Sequence, residues 1–160
     1  MSLEIRVDDL SGSEIADLIA VHSQTMLAQS PAESCHFLPL DGLKQASVTT
    51  WTMWRSGALV GCGALQDQGD GTGEIKSMHT REAWRGQGLG RRMLEHILAE
   101  ARARGYSALY LETGSMAGFL PARRLYEAYG FTCCGPFGAY RLDPNSVFMR
   151  LQLRAATGPK

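Results

Sequence analysis

The stretch Arg81-Glu-Ala-Trp-Arg-Gly-Gln-Gly-Leu-Gly-Arg-Arg92 sets three alternating glycines between arginines, directly ahead of a run with helical periodicity. The first N–H groups of a helix have no partner inside it, and the helix dipole makes that end partly positive. Arg91 and Arg92 add more positive charge there, which an isolated helix does not favour. The pattern makes sense if an anion rests at this point. Gly86, Gly88 and Gly90 would let it approach the backbone closely, and Arg85 offers a bidentate phosphate contact. The chemistry expected is the gripping of a pyrophosphate. The bland alternative is a flexible strand-to-helix turn with solvated arginines. A P-loop does not fit, because no lysine follows the glycines, so nucleotide triphosphate hydrolysis is a weak reading. A dinucleotide fingerprint does not fit either, because Arg91 stands where its last glycine belongs.

The elements that must position this loop follow from periodicity. Leu3 to Val7 reads as a strand, and Ser11 with Glu14 as a capping box for a helix bearing Ile15, Leu18, Ile19, His22 and Met26. His22 on that stripe reads as a packed core histidine. Residues 30–45 are irregular, with a short helix expected around 40–45. Val48 to Arg55, Ala58 to Leu65 and Glu74 to Thr80 read as strands, the last two joined by a turn at Asp70-Gly71. The helix after the glycines carries Leu89, Met93, Leu94, Ile97, Leu98 and Ala101 on one face, with Arg91–Glu95 and Glu100–Arg104 pairs on the other and Gly105 as its stop. Ser107 to Glu112 is a short strand. Pro121 opens a further helix with Leu125, Tyr126 and Tyr129, stopped by Gly130. Phe131–Cys134 and Val147–Leu153 close the order, and a frayed end is expected after Arg154. Hairpins followed by crossovers make this an α/β chain with a mixed sheet, in one domain over residues 1–160.

Composition narrows the function classes. Sixteen basic residues balance sixteen acidic ones, so the chain lacks the electrostatic footprint of a nucleic-acid binder. No run approaches the roughly 18 apolar residues of a membrane span, and no signal peptide is evident. Cys35, Cys62, Cys133 and Cys134 include no CxxC pair, which fits a reduced, cytoplasmic setting. Cys35-His36 offers only half of a metal site, and no metal is expected.

Arg85-Gly-Gln-Gly-Leu-Gly90 resembles the [QR]-x-x-G-x-[GA] signature of the GCN5-related N-acetyltransferases, the GNAT superfamily. Ala122-Arg-Arg-Leu-Tyr-Glu-Ala-Tyr-Gly-Phe131 is similar to the A-x-x-L-Y-x-x-x-G-F segment of that family, and Glu74 to Thr80 looks like its fourth strand. The resemblance covers residues 58–153 well, and the tail is similar to a small bacterial subgroup. It implies a central twisted mixed sheet of about seven strands flanked by about four helices. It implies acetyl-CoA as co-substrate, held by Arg85, Gly86, Gln87, Gly88, Leu89, Gly90 and Arg91 and by the main chain of Met78, His79 and Thr80. It implies Tyr126 as the acid that serves the departing thiolate. By the same resemblance Glu74 is the base, direct or through water, with an ion pair to Lys76 as the competing role. The acceptor implied is a primary amine of a small molecule or peptide, and many members form homodimers. The irregular residues 22–45 and 135–146 are the expected walls of its cleft. One departure stands out: Phe119 occupies the position of an asparagine that contacts CoA in many members, so that contact is either absent or supplied elsewhere, with Ser115 and Thr113 as candidates. The alternative class is a catalytically silent acyl-CoA sensor, which would need neither Glu74 nor Tyr126.

Overall fold

A computed structural model describes residues 2–153. The frayed end expected after Arg154 lies outside the described residues. Seven strands form one sheet in the order β1-β2-β3-β4-β5-β7-β6. They are β1 (Leu3–Val7), β2 (Val48–Arg55), β3 (Ala58–Asp67), β4 (Thr72–Thr80), β5 (Ala108–Gly114), β6 (Thr132–Cys134) and β7 (Ser146–Gln152). Four α-helices flank it: α1 (Ser13–Gln29), α2 (Leu40–Leu43), α3 (Leu89–Ala103) and α4 (Leu120–Ala128). This is the mixed α/β architecture expected. Among the described residues no helix is long and apolar enough to cross a membrane.

Strand alternation divides the core in two. One face packs Trp51, Met53, Leu65, Ile75, Leu109, Leu111 and Met149 against the stripe of α3 and against Tyr126 of α4. That stripe is the set the periodicity gives: Leu89, Met93, Leu94, Ile97, Leu98 and Ala101 are all buried. The other face packs Leu59, Cys62 and Ala64 against Ile15, Leu18 and Ile19 of α1 and Leu43 of α2.

Some local expectations need correcting. The cap of α1 is Gly12, with no side-chain hydrogen bond. Ser11 is not the cap because its hydroxyl donates to Asp9 Oδ1 at 2.7 Å. Glu95 takes the Tyr129 hydroxyl as its partner, whereas Arg104 and Glu100 pair as expected at 2.8 Å. Strands β3 and β4 each run two residues further into the hairpin than their apolar alternation indicates. Asp70 steadies that turn by accepting from the Thr72 amide at 3.1 Å.

Two irregularities in β4 shape everything that follows. Cys62 pairs with His79 and Ala64 with Lys76, so Ser77 and Met78 together face Gly63 alone, a β-bulge. Ser77 carries it with a left-handed φ of 55°. The extra residue puts Met78 with the α3-side core and swings His79 round to α1. The second irregularity is the partner strand. β4 and β5 are the parallel pair, and they stay in register only at Thr72–Ala108, Gly73–Leu109 and Glu74–Tyr110. Beyond Glu74 the two strands part.

Candidate active site

The glycine loop ends on Gly88, which caps α3 in the left-handed conformation at φ 79°. A side chain there would be strained, so glycine is the residue the turn requires. The first helical bond runs from the Arg92 amide to Gly88 C=O at 3.1 Å, leaving the amides of Leu89, Gly90 and Arg91 ahead of it. No acidic residue sits in this first turn. A Cβ placed at Gly86 would have nothing within 4 Å, so the backbone is open to a ligand. Arg85 is exposed but anchored, its Nε donating to Thr80 C=O at 3.0 Å. These features fit a diphosphate: unpaired donors, a positive helix end and a held guanidinium converge on one spot.

A cavity of about 360 Å³ runs from this cradle along the end of β4, between α1 and the start of α4. Met78, His79, Thr80, Arg85, Gly86, Gly88, Leu89, Gly90 and Tyr126 all line it. Two expected members do not. Gln87 faces away, accepting from Arg55 Nη1 at 3.4 Å. Arg91 lies on the solvent side, with a guanidinium nitrogen 4.0 Å from where a Gly88 side chain would begin.

Two more cavities continue the path. An inner chamber of about 110 Å³ shares Met78, Phe119 and Tyr126 with the first cavity and adds Glu74, Lys76, Glu112 and Tyr140. An outer chamber of about 740 Å³ shares His36, Glu74 and Tyr140 with the inner one. Tyr126 therefore stands at the first junction and Glu74 at the second. Burial, to 6% exposure, pushes the Tyr126 phenol well above its usual range and keeps its proton in place at neutral pH. Residues from both irregular segments line these chambers, and the segments are tied together: Ser34 donates to Asp143 Oδ2 at 2.6 Å.

Glu74 is buried and does take Lys76 as a partner, at 3.1 Å. The Tyr140 hydroxyl donates to the same carboxylate oxygen and accepts from Lys76 Nζ at 3.0 Å. Glu112 stands across the inner chamber on β5. Burial raises its carboxyl to about 7, with Glu74 and Asp143 pushing the same way and Ser146 and Lys76 opposing. Neither Glu112 nor Tyr140 was singled out as a site residue by motif. Glu112 is one polar position in an alternating strand, and Tyr140 sits in a Gly/Pro loop without period. The signal that could have found Glu112 is the topology, since a strand on an opened edge turns a solvated face into a cavity wall.

His22 and His79 meet in the first cavity, Nδ1 to Nδ1 at 3.0 Å. Burial lowers both imidazoles to about 4, and Arg85 and Arg81 add to the effect on His79. His22 is thus a buried histidine with a specific partner. The departure at Phe119 also has a structural outcome: the ring packs onto Gly114, where a Cβ would come within 2.2 Å of it. Ser115 is not free to replace the missing amide, because its hydroxyl donates to Pro144 C=O at 2.7 Å, and Thr113 lines the inner chamber rather than the cofactor cavity. The side chain beside that position is Gln29, whose buried Oε1 has no hydrogen-bond partner among the described residues.

Comparison with known proteins identifies the family and the fold. The model of the acetyltransferase (GNAT) family matches residues 16–131. YsnE, an uncharacterized N-acetyltransferase of Bacillus subtilis (strain 168), is 46% identical over 151 residues, covering 94% of this chain and 100% of that one. A solved Klebsiella pneumoniae protein assigned as an acyl-CoA N-acyltransferase is similar at TM-score 0.77 and 30% identity, over 94% of this chain and 97% of that one. The fold is shared with yncA of Salmonella typhimurium, solved with its cofactor acetyl-CoA, at TM-score 0.71 and 21% identity over 100% and 99% of the two chains. The chain belongs to the GNAT family of acetyltransferases, enzymes that draw on acetyl-CoA.

Proposed function

We propose that the chain transfers acetyl from acetyl-CoA directly to a primary amine of a small molecule or peptide. The observation that carries this reading is the run of three joined cavities, with a phenol at the first junction and a carboxylate at the second. The glycine loop and Arg85 hold the diphosphate. The main chain of Met78 to Thr80, freed from β5, faces the cavity and supplies donors for the charge that develops on the carbonyl oxygen. Gln29 Oε1 offers an acceptor where the family's asparagine is replaced by Phe119.

An alkylamine with a pKa near 10.4 arrives mostly as ammonium and must lose a proton before it attacks. Glu74 takes that proton, directly or through water, and Tyr126 donates to the departing thiolate sulfur. Its buried phenol keeps that proton until it is needed. Glu112 is a second candidate for the base, favoured by its place inside the inner chamber and by a carboxyl poised near neutrality.

The test is release of free CoA thiol across a panel of amines. Tyr126→Phe should lower kcat by about 100-fold, with CoA affinity within twofold of the parent. Unchanged turnover would remove Tyr126 as the acid. Comparing Glu74→Gln with Glu112→Gln in the same assay separates the bases: the larger kcat loss marks the proton acceptor. CoA binding with no turnover on any amine would turn the reading to a sensor.

A further inference from the structure

The loop between β6 and β7 contains one side chain that is held from several directions at once. The Tyr140 hydroxyl bonds both Glu74 and Lys76. Its ring meets His36 edge-on at 5.1 Å, Phe137 at 4.9 Å and Phe148 at 5.5 Å between centroids. Lys76 Nζ lies 5.6 Å from the ring centroid. So many constraints on one loop residue fix it as a wall rather than a surface tyrosine. With His36 and Glu74 it forms the boundary between the inner and outer chambers.

The two chambers are unequal. A site that encloses a whole small molecule typically measures about 300–1,000 Å³. The outer chamber, at about 740 Å³, falls in that range. The inner one, at about 110 Å³, falls well below it and has room for an amine and a short stem only. We propose that Tyr140 is the specificity-determining residue of the acceptor site, a sill over which a slender, unbranched aminoalkyl arm reaches the inner chamber while the rest of the acceptor stays outside. This rests on the acetyl-transfer reading above. The hydroxyl has a separate, positioning role: it donates to the Glu74 oxygen that also takes Lys76, and so fixes the carboxylate at the boundary.

The test compares linear primary amines with isomers branched at the carbon next to nitrogen. CoA thiol release is followed at saturating acetyl-CoA for the parent, Tyr140→Phe and Tyr140→Ala. Differences of this kind in a tight site are worth about tenfold or more in kcat/KM. The parent should prefer the linear amine by that factor. Tyr140→Phe should keep the preference and lose kcat, because the ring remains and the hold on Glu74 is gone. Tyr140→Ala should bring the two amines to within about threefold of one another. CoA affinity, unchanged in both variants, checks that each is folded. A parent without preference, or a Tyr140→Ala variant that keeps it while slowing on every amine alike, overturns the proposal. A parent that binds CoA and acetylates nothing overturns the acetyl-transfer reading itself, and the sill with it.

Discussion

His22 and His79 present their Nδ1 atoms to each other at 3.0 Å, so one ring must hold a proton there and the other must not. The pair therefore fixes complementary tautomers and joins α1 to the bulged segment of β4. It also ties stability to pH. Both groups sit at about 4 in the folded chain against an ordinary 6.5. Below pH 6.5 the unfolded chain takes up protons that the folded one refuses. The stabilisation is complete above pH 6.5 and is lost as pH falls toward 4. A shift of that size is worth at most about 3 kcal/mol per histidine, and less where the two are coupled. Thermal melts should show Tm falling between pH 7 and 4.5. In His22→Asn, which leaves His79 a polar neighbour and removes one titrating group, that fall should shrink by about half. A variant whose melts track the parent at every pH would show that the pair is not the source.

At the scale of elements, packing around the cofactor cavity sets tolerances that a substitution can measure. Gly114 ends β5 under the buried ring of Phe119, with room for no more than a hydrogen. Gly114→Ala should cost about 1–3 kcal/mol through overpacking, read as a lower midpoint in urea, and Phe119→Leu in the same chain should restore part of it. Helix α3 was legible because its apolar period and its glycine punctuation agree. The same is true of α4, which Pro121 opens and Gly130 follows. The loop was legible for a different reason, since charge and glycine together contradict a plain helix start. Sequence failed where one chemical device had two possible owners, as at Ser11, whose hydroxyl serves Asp9 rather than the helix. The family resemblance allows for a bulge in this strand but does not place it, because serine at position 77 is not a residue type that announces a left-handed φ. Consequently no alternation rule could say that Met78 would turn to α3 and His79 to α1. Gln87 and Arg91 belong to the motif, yet the Gln87 side chain turns to Arg55 and the Arg91 side chain stays on the exposed side of Gly88. Glu112 depends on where β4 and β5 separate, a property of two distant segments that is written in neither, whereas Tyr140 lies in the expected wall at residues 135–146 and only its partners were hidden.

Across the molecule, acidic and basic residues balance, so an anionic coenzyme gains little from the overall field and is held by the few groups at one helix end. Such a ligand adds stability by mass action, about 2.7 kcal/mol at 100 times its Kd. Where that stability goes follows from the sheet. Among the described residues, three rungs of parallel ladder join β1–β4 to β5–β7. Past Glu74, main-chain groups of β4 have no neighbouring strand on that side. Hydrogen–deuterium exchange of residues 76–80 should slow markedly when CoA is added, while α2 and the β1 edge should change little. Equal protection everywhere would mean that the coenzyme does not lie along the opening. If it does, the coenzyme is a keystone: for the length of one turnover it is the strand that makes two half-sheets into a single arch, and each release of spent carrier loosens the vault again.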